Sequence, residues 1–392
     1  SNVLKTTGRF LWSKTTPAVG VGISLANRKD GVSKDYMGKP VTATSALENL
    51  INSAYDGANI LDASPRTIRF LKESNFLSKT CVKKLSQIED FNREVGQLYK
   101  NIPYKVYVSG ENILLNKTID GWYISLRSVS YGKFSCLDLL AEDESDAKLL
   151  ILAMKHYQEL NPNLKFFNIK AKASNGGGGN IKHVLDSKLQ DQENFLICFC
   201  DSDKLSLKSD LSYVTKECKR IVESSTFPVG FFHTIGREIE NDLPHYFIDQ
   251  VIEINNNNDV LSAFDDLKKI YSDIDVSIYL YTDIKQGVTI QNIKNISCSS
   301  SKEFWKESIS KLIEHNFLDE NISIESTPDN TIVTKHISKS IAGNVLSWLN
   351  FEYDRKPKRV HEIIKTNNDA QPWLTHGENL FWFASGMKKG RI

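Results

Sequence analysis

From Ser135 onward, short continuous apolar runs alternate with apolar positions at helical spacing. Cys136 to Ala141 is a brief apolar run that stops at acidic residues. Ala147, Leu150, Ile151 and Met154 then recur on one helix face, with Ser145 placed to cap that helix. Phe166 to Ala171 reads as a strand. The loop Asn175-Gly176-Gly177-Gly178-Gly179-Asn180 and a short helix to Gln190 follow. Phe195 to Cys200 is 6 apolar residues in a row, as a strand covered on both faces requires. A helix from Leu211 to Glu223 and a strand from Phe227 to Phe232 complete the region. Strands alternating with helices of about ten to fifteen residues predict a parallel α/β sheet.

The flanking patterns differ. Ala46 to Ala58 and Ile68 to Tyr99 read as helical. Tyr104 to Val108 and Trp122 to Leu126 alternate like a pair of strands. The first forty residues, rich in Gly, Thr, Ser and Lys, carry no clear period. Beyond residue 245 the pattern is mostly helical, over Val260 to Ile274, Ser301 to His315 and Ile337 to Phe351, with the Asn255 to Asn258 run as a loop or helix terminus. The expected fold is α/β: a central domain over 135–245 with a parallel, Rossmann-like sheet, an N-terminal α+β region over 1–134, and a mostly helical region over 246–392. A length of 392 residues fits two or three domains at about 150 residues each.

Composition changes this picture little. Hydrophobic residues make up 40% and charged residues 25%, which excludes a disordered or fibrous chain. The longest apolar runs hold 6 residues, against the roughly 20 that span a bilayer. The start shows no charged stretch followed by an apolar one, so no secretory signal and a cytoplasmic location are expected. Net charge is +1, so nucleic acid would have to be met by a local basic groove. The six cysteines form no CxxC pair, and the expectation is buried free thiols without zinc or a disulfide framework.

In a parallel α/β sheet, ligands bind beyond the carboxyl ends of the strands. After the first strand come Glu142, Asp143, Glu144 and Asp146; after the second, the four-glycine loop. After the third come Asp201, Ser202, Asp203 and Lys204; after the fourth, Arg237, Glu238, Glu240 and Asn241. Clustered carboxylates cannot all stay ionised without a cation. An all-oxygen donor set selects a hard ion, Mg²⁺ or Mn²⁺. Two ions about 4 Å apart would activate a water and stabilise the leaving oxygen of a phosphodiester.

These segments also carry a family resemblance. Leu139 to Ala147 is similar to the first motif of TOPRIM domains as found in OLD-type nucleases, where a strand ends in Glu and an acidic residue lies four positions later. Phe199 to Lys204 resembles the TOPRIM DxD motif. Arg237-Glu238-Ile239-Glu240-Asn241 resembles the Arg-Glu-x-Glu-Asn signature of OLD-like TOPRIM proteins, including the effector of PARIS-type phage defence. The match covers 135–245. It implies that Glu142, Asp146, Asp201 and Asp203 hold divalent metal and that Glu240 joins a second metal position. Two departures stand out: Asp143 where the family usually has Gly, and Asp242 where an aromatic is common.

Plainer readings compete at several positions. Glu144 and Lys148 read better as a surface i,i+4 pair, and Glu238 as a bystander to Glu240. Arg237 either clamps phosphate or pairs with a nearby carboxylate. Lys204 either reaches a scissile phosphate or is solvated. Gly177 and Gly178 either bring backbone to a nucleic-acid phosphate, the reading slightly preferred, or form only a flexible turn. Arg355, Lys356, Lys358 and Arg359 read as a solvated basic face. His376 has no local support as a site residue. No Walker A motif occurs. The expected function is a metal-dependent TOPRIM endonuclease of DNA or tRNA. The resemblance further implies an antiphage effector working with a separate ATPase partner, with homo-oligomerisation left open. A TOPRIM protein that binds nucleic acid or scaffolds a complex without cleaving is the alternative. A topoisomerase or primase would need further domains for which the chain leaves little room.

Overall fold

The computed structural model describes residues 4–7, 11–12, 42–102, 105–109, 116–119, 121–130, 132–255, 257–355 and 357–388. Its centre is a sheet of four parallel strands: β1 Leu137–Ala141, β2 Ala171–Asn175, β3 Phe195–Cys200 and β4 Val229–His233, in the order β4-β3-β1-β2. Alternate residues of β3 serve two apolar layers. Phe195, Ile197 and Phe199 join the main core, while Leu196, Cys198 and Cys200 join a second cluster. Helices α1 Glu144–Leu160, α2 Ile181–Asp191 and α3 Tyr213–Ser224 supply the covers, α1 on the main core and α2 and α3 on the other face. A strand buried on both sides needs apolar residues at every position, and β3 has them.

One polar residue breaks that rule inside β1. Asp138 is buried, and its carboxylate accepts from Ser174 Oγ at 2.5 Å and meets Lys188 Nζ at 2.6 Å. Both oxygens are thereby satisfied, which is the condition for tolerating a buried charge.

The strand predicted over Phe166 to Ala171 is two strands. Phe167–Ile169 pairs antiparallel with Ser385–Met387, and only Ala171 onward enters the central sheet. Local pattern cannot reveal this split, because the partner lies more than 200 residues away. The N-terminal strands form a separate mixed sheet in which Lys105–Ser109 and Gly121–Ser125 are parallel neighbours, while Asn116–Thr118 folds back antiparallel on Gly121–Ser125. Helices Ala43–Tyr55, Pro65–Glu73 and Lys79–Val95 flank it, as the helical spacing predicted. Of the first forty residues only the strands Leu4–Thr7 and Leu11–Trp12 are described; Tyr104, Lys356 and the tail from Lys389 lie outside the described residues.

The C-terminal region is helical at the expected places, over Asn258–Lys269, Ser299–Glu314 and Ile341–Arg355. Its last helix, α4 Gln371–Ala384, lies along α1 and buries Trp373, Leu380 and Phe381, with Trp373 Nε1 donating to His156 Nδ1 at 3.0 Å. One hydrophobic cluster runs from Ala46 to Met387, so all three regions share a core. The helices approach closely at Gly377, where an added Cβ would fall 2.4 Å from the Ala153 carbonyl oxygen and 2.8 Å from Tyr157 Cβ. Gly377→Ala is therefore expected to lower unfolding free energy by about 1–3 kcal/mol through overpacking, measured by denaturant titration. Among the described residues no helix is long and apolar enough to cross a membrane.

Candidate metal centre

The sheet order places the site. The connection from β1 leads to one side of the sheet and that from β3 to the other, so the two strands part at their carboxyl ends and leave a crevice there. Their parallel register pairs Cys198 with Leu140, which brings Glu142 and Asp201 together just past the sheet edge. Asp201 N donates to Glu142 Oε1 at 3.1 Å, and Gly178 N donates to the Glu142 carbonyl at 3.0 Å. Helix α1 is capped by Asp143, not by Ser145: the Asp143 carboxylate accepts from Ser145 N, and Asp146 Oδ2 accepts from Asp143 N at 3.3 Å. Asp143 thus acts as the helix cap. Glu144 and Lys148 form the expected exposed pair at 2.9 Å.

The turn after β3 is held from beneath. Ser202 is fully buried, with its N–H on Thr234 Oγ1 at 2.8 Å and its Oγ on the Gly236 carbonyl at 2.6 Å. Asp203 has φ +51° and donates its N–H to the Arg237 carbonyl at 2.9 Å. That left-handed turn lifts Asp203 to the exposed rim while Asp201 stays lower, its Oδ1 accepting from Ile239 N at 3.0 Å. The loop after β4 is pinned by Asp242, whose two oxygens accept from Ile235 N and Gly236 N at 2.7 Å each. The same carboxylate meets His376 Nε2 of α4 at 2.7 Å, in a fully buried contact. His376 is thereby tied to the loop that carries Glu238 and Glu240.

Glu142, Asp146, Asp201, Asp203 and Glu240 are near enough to perturb one another, though among the described residues no three of them bring carboxylate oxygens within 4.8 Å of one another. Burial lifts the Glu142 carboxyl, and Asp203 adds to the effect. Asp146 is pushed up to about 7 by burial and by Glu240. Asp201 is raised well above the usual carboxylate range, by burial and then by Glu142, Glu240 and Asp146. Burial also raises Glu240, which is 3% exposed. Lys285 enters this cluster, its Nζ 3.3 Å from Glu240 Oε1 and 3.6 Å from Glu238 Oε2. Burial alone would lower its pKa, but Glu240, Glu238 and Asp201 outweigh it and hold the ammonium charged.

One lysine does not balance five carboxylates. Glu240 Oε2 is buried without a hydrogen-bond partner, an arrangement that costs free energy unless a cation completes it. These side chains offer oxygen donors only, the donor type that Mg²⁺ or Mn²⁺ takes, but they are not drawn together to ligand distances. Without added metal, Asp146→Asn should stabilise the fold. Because the folded value is raised, wild-type stability from this group is present below the ordinary carboxylate range near 4 and is lost as pH rises through about 7. The variant's advantage should grow across that window to roughly 1–3 kcal/mol, at about 1.4 kcal/mol per pH unit before solvent screening. Thermal melts at pH 4 and pH 8 with EDTA check this, and saturating Mn²⁺ should reverse it.

Several predicted residues take other parts. Arg237 pairs with a carboxylate, its Nη2 3.1 Å from Asp283 Oδ2. Glu238 is half-buried, faces Lys285 and is pushed up to about 7 by burial. Gly177 and Gly178 adopt φ +70° and +59°. Their N–H groups are used inside the loop, on Asn175 Oδ1 and the Glu142 carbonyl, so they are not free to cradle phosphate. The loop instead shapes the wall behind Glu142. Lys204 is half-buried beyond the DxD turn, its N–H on Ser202 Oγ at 3.2 Å. Lys285 was not legible in the sequence: it follows Asp283 and Ile284 in a connection with no motif, and only folding brings it to the carboxylates. Arg355 stacks on the exposed Phe351 ring at 4.7 Å. No known protein family, curated protein or solved structure matches the chain.

Proposed function

We propose that this chain is a divalent-metal-dependent nuclease of the TOPRIM type, hydrolysing phosphodiesters of DNA or tRNA, and an antiphage effector that works with a separate ATPase partner. The observation that supports the reading best is the group of carboxylates at the crevice between β1 and β3, with a buried Glu240 oxygen left unpartnered and one lysine among them. Glu142, Asp146, Asp201, Asp203 and Glu240 would hold the metal. Mg²⁺ or Mn²⁺ bound there would supply charge stabilisation of the phosphoryl group and a more acidic water. The chain's own residues would do the rest. Lys285, held charged, would neutralise the phosphate and protonate or hydrogen-bond the departing oxygen. Asp242 and His376 would keep the Glu238–Glu240 loop in place beneath it. Lys204 would meet a neighbouring phosphate from the rim.

The test is to incubate the purified protein with plasmid DNA and with total tRNA in Mg²⁺, Mn²⁺ or EDTA. The expected result is loss of one substrate with either metal and of neither in EDTA. The rate should rise as pH increases through about 7, because Asp146 must shed its proton before the cluster can bind metal. Mn²⁺ binding by calorimetry without cleavage would favour the non-catalytic, nucleic-acid-binding or scaffold reading, or an effector that stays silent without its partner. Absence of Mn²⁺ binding would sink the metal centre itself.

A further inference from the structure

On the face of the sheet covered by α2 and α3, three thiols meet. Cys198 and Cys200 occupy successive same-side positions of β3, and Cys218 projects from α3 towards them. Their Sγ atoms all lie within 4.8 Å of one another, and those of Cys198 and Cys200 are 3.8 Å apart. That separation is nearly twice a disulfide bond of about 2.05 Å, so the two thiols share a hydrogen bond and no disulfide. All three residues are 0% exposed, walled by Leu140, Ile181, Leu185, Leu196, Val222 and Val229. A lone buried cysteine packs as a small hydrophobe; three whose sulfurs point to one centre are a donor set. Sulfur–metal bonds of about 2.3 Å around a three-coordinate ion place the sulfurs roughly 4.0 Å apart, within a few tenths of an ångström of the Cys198–Cys200 spacing.

We propose that this triad is a buried, all-sulfur, three-coordinate site for Cu(I). Zinc in structural sites takes four ligands, and an apolar wall admits neither a fourth side chain nor water. Soft thiolate donors in low coordination select monovalent copper. Binding releases thiol protons to solvent. The site is distinct from the carboxylate cluster in face and chemistry and does not depend on the nuclease reading. It lies close behind that cluster, since Cys200 immediately precedes Asp201 and Thr215 Oγ1 of α3 donates to the Asp201 carbonyl at 2.8 Å. An ion joining Cys218 to β3 would therefore fasten α3 to the strand end that carries Asp201.

The experiment is competition for Cu(I) against a chromogenic chelator, with the full-length protein under anaerobic reducing conditions. Wild type is expected to withdraw one equivalent. Cys298→Ser, which removes the exposed thiol, should do the same. Cys218→Ala should lose on the order of a hundredfold in affinity or more, with Cys198→Ala substituting if circular dichroism shows Cys218→Ala unfolded. X-ray absorption of the loaded wild type should show three sulfur neighbours. Failure to take copper from the chelator overturns the site, as does equal uptake by wild type and the triad variants. Nitrogen or oxygen neighbours around the copper would overturn it too.

Discussion

Glu142→Ala abolishes Mn²⁺ binding at the carboxylate cluster and with it any metal-dependent cleavage, a loss expected at about 100-fold or more. Removing even a residue that only supports a metal ligand commonly costs 10- to 100-fold, and Glu142 is proposed as a ligand itself. Its side chain reaches past the end of β1 to accept the Asp201 N–H at 3.1 Å, so it also sets the position of the next carboxylate. Glu142→Gln separates the two roles. The amide keeps an oxygen for Asp201 N but brings no charge, so this variant should fold like wild type and still fail to bind Mn²⁺. In EDTA near pH 8, Glu142→Gln should melt higher than wild type, because burial and Asp203 penalise the Glu142 carboxylate there. Calorimetry, cleavage assays and thermal melts on the three proteins together give the answer. Undiminished cleavage by Glu142→Gln would rule out the proposed ligand set.

Asp242→Ala has the largest expected effect on stability, a loss of about 3–5 kcal/mol. The carboxylate is fully buried and serves three donors: Ile235 N, Gly236 N and His376 Nε2, each at 2.7 Å. Alanine would leave all three without partners in a closed interior, where every unsatisfied group costs roughly 1–3 kcal/mol. The backbone there is closely packed: a Cβ added to Gly236 would sit 2.5 Å from Asn241 Cβ. The loop released is the one bearing Glu238 and Glu240, so Mn²⁺ affinity should fall together with stability. Asp242→Asn, which keeps one acceptor oxygen, should lose less on both counts. Chemical denaturation and calorimetry on the same samples test the linkage. A stability loss under 1 kcal/mol in the alanine variant would show that the loop is held by other contacts.

The central sheet was legible because burial on both faces forces a readable pattern. The unbroken apolar run of Phe195 to Cys200 and the helical spacing of Ala147 to Met154 each follow from local geometry. The positions of Glu142, Asp146, Asp201, Asp203 and Glu240 were legible for a related reason: a parallel sheet delivers whatever follows its strands to one edge. What only tertiary structure decided are pairings between distant segments. Lys285 reaches Glu240, Asp283 takes Arg237, His376 meets Asp242, and Ser385–Met387 joins Phe167–Ile169. None of these has a periodic signal, since each depends on how separate elements pack and not on the spacing within one. The three cysteines make the same point. Cys198 and Cys200 share a strand face by simple alternation, which sequence determines, but Cys218 joins them only because α3 docks on that face.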